Sequence, residues 1–224
     1  MFKDKRWIRA LLIGVSLLFT GLFITPAQMN ATTPEANPDE MDQNRTRLLT
    51  YVLKRQVENH FSGKEVDDTL SFAAFELYLK QLDYQKRLLL AEEVSQLEIF
   101  KDRIDDEVQS GRVILAPLAF RLLANSISRA ELLAEKALSE PFSFDVDEDY
   151  ETDPEKLEFC QTEEDLAKRW RLDLKYRTLN RYLSLLEDAG VEDPLKATPE
   201  EQKEKELEAR EKVRKQYSEY FDRL

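Results

Sequence analysis

Apolar residues recur at steps of three and four along most of the chain, which is the spacing of one face of an α-helix. The segments with this pattern begin near Asn37, near Asp67 or Asp68, just after the Leu88-Leu89-Leu90 triplet, and near Ile114, Thr162 and Thr198. No stretch of convincing length alternates apolar and polar residues as a half-buried β-strand does. We therefore predict an all-α fold, a bundle-like domain of five or six helices.

Each of the first five segments presents one apolar face. In chain order the faces are Leu49, Val52, Leu53, Val57 and Phe61; Leu70, Phe72, Phe75, Leu79 and Leu82; Val94, Leu97, Phe100, Ile104 and Val108; Leu118, Leu122, Leu123, Ile127, Ala130 and Leu133; and Leu166, Trp170, Leu179, Tyr182, Leu183 and Leu186. Gly63, Gly111 and Gly190 each stand where such a pattern stops. Because glycine takes a left-handed backbone conformation at little cost, these positions predict helix ends.

Two helix starts are marked by capping residues. Thr162 precedes Asp165 by three positions, and Thr198 is followed by Pro199 and, three positions on, by Glu201. A threonine at the N-cap accepts a hydrogen bond from the third helical N–H, and proline suits the first helical position. We predict N-caps at Thr162 and Thr198, with an irregular segment at 142–161 before the first of them.

The first 27 residues have the three parts of a secretory signal. A basic segment (Lys3 to Arg9) precedes an apolar stretch at 10–24, and the small residues of Thr25-Pro26-Ala27 follow. Fifteen residues span ~22 Å as a helix, less than the ~30 Å hydrocarbon core. We predict a signal peptide at 1–27, cleaved after Ala27, a flexible linker at 28–38 and a folded domain at 39–224. The expected location is the periplasm; an uncleaved inner-membrane anchor is the alternative.

Composition excludes several kinds of site. The 224 residues carry a formal net charge of −12, which disfavours nucleic acid as the main partner because phosphates need a basic surface. The chain has one histidine, His60, and one cysteine, Cys160. It therefore cannot build a Cys-His zinc site or an internal disulfide. We predict no metal ion, no cofactor and no catalytic residue.

Three candidate sites carry simpler interpretations. The acidic segment 145–156 places oxygens at the spacing of a calcium loop, but Tyr150 and Lys156 replace the glycine and glutamate that such a loop needs. We interpret it as a solvated acidic loop. His60 suits a helix C-terminus, and Cys160 a partly buried thiol. Ser62 and Lys64 have no oxyanion-hole element beside them and are not predicted to form a catalytic pair.

The last helix changes from charged to apolar along its length. Its final turns carry Val213, Tyr217, Tyr220, Phe221 and Leu224 at helical spacing. Such a face either packs on the rest of the bundle or meets another protein. These five residues are the predicted interface candidates.

Three motifs resemble the N-terminal domain of the tail-specific proteases, also called C-terminal processing peptidases. The first runs from Phe75 through Leu82-Asp83-Tyr84 to Glu93-Val94; the second is Pro141-Phe142-Ser143-Phe144-Asp145; the third is the helix segment Trp170 to Tyr176. Together they cover about residues 45–224. In that family a PDZ domain and a protease domain with a catalytic serine and lysine follow, and this sequence stops before both.

The resemblance implies a non-catalytic helical module of a periplasmic tail-specific serine protease. Its expected role is that of a scaffold engaging substrates or an adaptor, with the protease domain, an adaptor lipoprotein or unfolded substrate tails as partners. The membrane is expected to be contacted only through an uncleaved signal segment. The alternative is a free-standing periplasmic helical protein that binds partners without a protease. Substrate, adaptor and oligomeric state are left open by the sequence.

Overall fold

The structure is a computed structural model that describes residues 38–59, 65–191 and 193–224. The described residues form seven α-helices: α1 (Pro38–Glu58), α2 (Asp68–Leu82), α3 (Ala91–Glu98), α4 (Ile104–Ser110), α5 (Leu115–Leu138), α6 (Glu163–Asp188) and α7 (Pro199–Phe221). Single 3₁₀ turns at Pro154–Lys156 and Pro194–Lys196 precede α6 and α7. Across these same residues no β-strand occurs, and the all-α prediction is confirmed.

Several sequence predictions fall on residues outside the described ranges. They are the signal peptide at 1–27, the linker as far as residue 37, and His60, Phe61, Ser62, Gly63 and Lys64. Pro38, the last residue of the predicted linker, is the first residue of α1, as the helix pattern predicted.

The chain divides into two compact units. The first contains the described residues up to Leu82 together with Leu97–Ala119, and so α1, α2 and α4. The second contains Asp83–Gln96 and Phe120–Leu224, with most of α5 and all of α6 and α7.

In the first unit, α4 packs against both α1 and α2. The Ser71 hydroxyl of α2 donates to the Asp105 carboxylate at 2.6 Å and accepts from the Asp105 backbone N–H at 2.8 Å. Both residues are buried. Arg103, at the N-cap position of α4, makes no side-chain capping bond. Ser71 therefore satisfies a helix-terminal N–H that the local sequence leaves free.

The predicted third helix is wrong in one respect, because it is two helices, α3 and α4. The backbone N–H groups of Phe100, Lys101 and Arg103 each donate to the carbonyl three residues earlier. These tighter turns interrupt the four-residue ladder of an α-helix. The hydrogen bonds between Ser71 and Asp105 then lie at the start of a new helix, α4. The described residues therefore form seven helices and not the predicted five or six.

Three residues assigned to buried faces are exposed: Val52, Phe72 and Leu183. Phe72 is 44% exposed, whereas its neighbour Ser71 is fully buried. The hydroxyl of Ser71 is bonded to Asp105, so a polar residue can occupy the inward position at little cost.

In the second unit, α6 and α7 pack along each other. The main core contains Leu88, Ala130, Ala134, Leu138, Cys160, Leu166, Trp170, Leu174, Val213, Tyr217 and Phe221. Trp170 is its largest fully buried side chain. A second cluster, including Tyr182, Leu186 and Ala209, continues the same helix pair.

Both predicted N-caps are confirmed. The Thr162 hydroxyl accepts from the Asp165 N–H at 3.1 Å. At the start of α7, the Thr198 hydroxyl accepts from the Glu201 N–H, and the Glu201 carboxylate accepts from the Thr198 N–H at 2.8 Å. Gly111 and Gly190 both have positive φ and follow the ends of α4 and α6.

Candidate functional site

The C-terminal apolar face packs mainly into the second unit. Val213, Tyr217 and Phe221 belong to its core, whereas Tyr220 is only partly buried. Leu224 is 54% exposed. A contact with another protein through this face would use Leu224 and the exposed part of Tyr220. The interface itself stays a prediction.

A buried carboxylate, Asp173, joins α6 to three other segments of the second unit. Asp173 is 4% exposed. It accepts hydrogen bonds from the hydroxyls of Tyr150 and Tyr217, each at 2.6 Å. Arg177 Nε donates to it at 3.0 Å and Arg87 Nη1 at 3.3 Å. A buried charge is tolerated when it is paired and fully hydrogen-bonded, and Asp173 meets both conditions.

The guanidinium of Arg87 lies among aromatic rings. Its central carbon is 4.9 Å from the ring centroid of Trp170 and 5.0 Å from that of Tyr220. The indole N–H of Trp170 donates to the backbone carbonyl of Arg87 at 2.8 Å. Arginine stacks on aromatic faces while its N–H groups stay free for a carboxylate. Arg87 thereby holds the segment before α3 against α6 and α7.

The ionisation of this cluster is fixed by its bonds. Burial raises the pKa of Asp173, but the hydrogen bonds from Tyr150, Tyr217 and Arg177 outweigh it, and the net pKa is below its ordinary value. Burial and the nearby Asp173 raise the pKa of Tyr217 above its ordinary range. At neutral pH Asp173 is therefore an anion and Tyr217 a neutral donor. The cavity bordering Arg87, Tyr150 and Asp173 measures about 30 Å³, room for one or two water molecules.

A larger groove lies elsewhere on the second unit, between the C-terminal part of α5, the segment 140–148 and the first half of α6. Its volume is about 430 Å³, within the range of known ligand pockets. Apolar side chains in its wall include Leu133, Ala137, Phe142 and Val146. Val146 is 56% exposed. We call this feature the α5–α6 groove.

The α5–α6 groove is more basic than the chain that contains it. Four of its side chains are cationic, Lys136, Lys168, Arg171 and Lys175, and two are acidic, Glu140 and Glu148. The balance is 4 − 2 = +2, against −12 for the whole chain.

The segment 145–156 was predicted to be a solvated acidic loop, and this prediction is wrong for one carboxylate, that of Glu148. Its carboxylate pairs with Arg171 and, at 2.7 Å, with Lys175. The hydrogen bonds from Arg171 and Lys175 lower the pKa of Glu148 to about 2. The sequence did not identify this residue because its partners lie more than twenty positions along the chain.

A comparison with known families decides the identity. Residues 52–224 match the family model of the tail specific protease N-terminal domain. The match covers 224 − 52 + 1 = 173 of the 224 residues.

The chain belongs to the tail-specific protease N-terminal domain family. This domain is not itself the catalytic domain of the protease. The resemblance suggested by the three sequence motifs is thus confirmed.

Acidic residues of the first motif organise the backbone of this tail-specific protease domain. The Asp83 carboxylate accepts from the N–H groups of Arg87, Leu88 and Leu89 at 2.8–3.0 Å. Glu93 plays a similar part at the start of α3, since its carboxylate accepts from the Leu90 N–H at 2.7 Å. These bonds hold the chain that carries Arg87.

Glu93 also connects α3 to α5. Arg129 donates to the two Glu93 oxygens at 2.8 and 2.9 Å, and the Ser126 hydroxyl donates at 3.2 Å. The other two motifs supply Trp170, at the centre of the main core, and Phe142, in the wall of the α5–α6 groove.

Cys160 is buried and unpaired in the main core, as predicted for a partly buried thiol. Burial raises the pKa of its thiol. Within the described ranges no group of three or more His, Cys, Asp or Glu residues could hold a metal ion. None of the helices that the structure describes is long and apolar enough to cross a membrane.

Proposed function

We propose that the chain acts as the non-catalytic helical module of a periplasmic tail-specific serine protease, where it serves as a scaffold and engages substrates or an adaptor protein. The observation that carries the proposal is the family match over residues 52–224. A domain that is not the catalytic one contributes to proteolysis by holding proteins near the protease.

The α5–α6 groove supports the engagement part of the proposal. It is concave, has an apolar wall and carries cations that its own chain does not fully neutralise. Binding surfaces commonly combine an apolar centre with a few charged groups that set specificity. Helix α6, which forms one wall of the groove, packs along α7, so this wall belongs to a helix pair and not to a loop.

The periplasmic location is proposed from the first 27 residues. Their basic start, apolar middle and small-residue end are typical of an export signal. A cleaved signal would release the rest of the chain into the periplasm, where tail-specific proteolysis is proposed to occur.

Reconstitution tests the proposal. The chain without residues 1–27 is mixed with a tail-specific protease from which the corresponding N-terminal domain has been deleted, and turnover of an unfolded protein with an apolar C-terminus is measured. We expect the chain alone to cleave nothing and to restore turnover when the deleted protease is present.

Two outcomes would contradict the proposal. Turnover by the chain alone, abolished by changing one of its residues, would show an enzyme. A folded chain that neither binds the deleted protease in sedimentation nor changes its turnover would exclude a role as its module.

A further inference from the structure

Two lysines on opposite walls of the α5–α6 groove have no ion-pair partner. Lys136 lies in the last turns of α5 and Lys168 in the first turns of α6, and both are exposed. Among the described residues neither forms an ion pair. Their charges are therefore available to a ligand in the groove.

The other two cations of the α5–α6 groove share a single carboxylate. Arg171 and Lys175 both pair with Glu148, so that this trio keeps one positive charge in excess. Lys168, Arg171 and Lys175 follow one another at steps of three and four, which places them on one side of α6. Lys175 is buried beside Glu148, so Lys168 and Arg171 are the members of this row that reach the surface of the groove.

Apolar side chains lie beside these cations in the wall of the groove. Ala137 and Phe142 are partly buried, whereas Val146 is exposed at the edge of the groove. An exposed apolar side chain beside unneutralised lysines fits a ligand that presents both carboxylates and an apolar group. A single carboxylate would meet one of these cations, whereas several carboxylates along a peptide would meet Lys136 and Lys168 on the two walls and Arg171 beside them.

We infer that the α5–α6 groove binds an acidic peptide segment of a partner protein, with Asp or Glu side chains on Lys136, Lys168 and Arg171 and an apolar side chain against Val146. This inference rests on the proposed function of engaging other proteins. It specifies the groove, the chemistry of the segment and the residues that recognise it.

The inference is tested by fluorescence anisotropy with the full chain. The probe is a short labelled peptide, acetylated and amidated, in which Asp and Glu flank Leu. Comparison peptides replace Asp and Glu by Asn and Gln, or carry a single free C-terminal carboxylate as their only acid. We expect the acidic peptide to bind at least about tenfold more tightly than either one, and the difference to shrink as salt is added.

Matched variants locate the site. Lys136→Glu with Lys168→Glu is expected to weaken binding of the acidic peptide about tenfold. Lys203→Glu with Lys215→Glu makes the same change in net charge on the exposed side of α7 and is expected to leave binding within about twofold. Val146→Ser is expected to weaken binding about fivefold, since it removes apolar surface and leaves every charge in place. Circular dichroism checks that each variant is folded.

Three results would overturn the inference. They are equal affinity for the acidic and the Asn/Gln peptides, tighter binding of the peptide whose only acid is its free C-terminus than of the acidic peptide, and equal losses of affinity in the two double variants. A chain that assists the deleted protease but shows one of these results loses this inference and keeps the proposed function. A chain that binds the acidic peptide through Lys136 and Lys168 but gives the protease no assistance supports the groove and contradicts the proposed function.

Discussion

The hydroxyl of Tyr217 donates a 2.6 Å hydrogen bond to Asp173, and this bond joins α7 to the buried face of α6. Tyr217 belongs to the apolar C-terminal face, and its ring packs edge-on against Trp170, 5.6 Å between centroids. One side chain thus supplies apolar area to the core and a hydrogen bond to a buried anion. Helix α7 therefore contributes to the stability of the second unit.

Replacing Tyr217 by Phe should destabilise the second unit. The change keeps the ring and removes the donor to a buried charge, so we expect the free energy of unfolding to fall by about 1.5–3 kcal/mol. Urea denaturation followed by tryptophan fluorescence measures it, because Trp170 lies beside Tyr217.

Tyr176→Phe is the matched control. Tyr176 is exposed on the same helix as Asp173, and its loss of a hydroxyl should change stability by no more than about 0.5 kcal/mol. Equal effects of the two Tyr→Phe changes would show that the bond to Asp173 contributes nothing measurable.

Acid should weaken the second unit through Asp173. The folded-state pKa of Asp173 is below its ordinary value, which is about 3.9 in an unfolded chain. The folded protein therefore binds this proton less readily than the unfolded chain does. The stabilisation is fully present above about pH 4 and is lost as pH falls through the folded-state pKa.

Unfolding free energies of the wild-type chain and Asp173→Asn, measured between pH 7 and pH 3, test this. We expect the gap between them to be constant at the upper end and to close toward the lower end. Asp188→Asn, at the exposed end of α6, should run parallel to the wild type throughout. A gap between wild type and Asp173→Asn that widens in acid would contradict the assignment.

Local signals were enough to predict much of this fold. The caps at Thr162 and Thr198 lie within three residues of the groups they bind, so the sequence alone contains the whole motif. The same holds for α2, whose first turn is capped by Asp67 through the Leu70 N–H. In α6 helix periodicity identified four of the buried residues, Leu166, Trp170, Tyr182 and Leu186. In α5 it identified only Ala130 among the buried residues, and the other members of the predicted face are partly buried.

The polar contacts at long range could not be predicted. Asp173 receives its bonds from residues 87, 150, 177 and 217, and only Arg177 lies within a helical turn of it. Ser71 and Asp105 are 34 positions apart. Because their hydrogen bonds mark the start of α4, no local pattern in the sequence indicates that the predicted third helix is two helices. The four cations of the α5–α6 groove lie on two different helices, and no local pattern in the sequence marks them as one site.

The capping box of α7 should contribute measurably. Thr198→Ala removes the side-chain acceptor for the Glu201 N–H and is expected to cost about 1 kcal/mol of stability. Ser218→Ala, on the exposed side of the same helix, changes a hydroxyl without removing a cap and should have an effect within about 0.5 kcal/mol. Thermal unfolding by circular dichroism compares the two. Similar losses would mean that the cap is replaced by water.

Export should remove the first 27 residues. The small residues before position 28 predict cleavage after Ala27, so a chain recovered from bacterial periplasm should begin at Gln28. N-terminal sequencing of the soluble and membrane fractions gives the answer. Met1 recovered in the membrane fraction would indicate an uncleaved anchor.

Two residues of the C-terminal apolar face can distinguish a role in core packing from a role in association with another protein. Phe221 belongs to the main core and packs against Trp170, 5.6 Å between ring centroids, whereas Leu224 is mostly exposed. Phe221→Lys buries a charge in the core, and we expect a loss of at least about 3 kcal/mol. Leu224→Lys leaves the core unchanged and should alter the free energy of unfolding by less than about 0.5 kcal/mol.

Sedimentation of the folded Leu224→Lys chain then addresses the predicted interface alone. If the end of α7 meets another protein, this change should weaken association with the domain-deleted protease or with a second copy, because it replaces exposed apolar surface by a charge. Association that is unchanged by Leu224→Lys would place the contact elsewhere and leave Val213, Tyr217 and Phe221 with a purely structural role. A stable, folded Phe221→Lys chain would contradict the core packing from which this separation is argued.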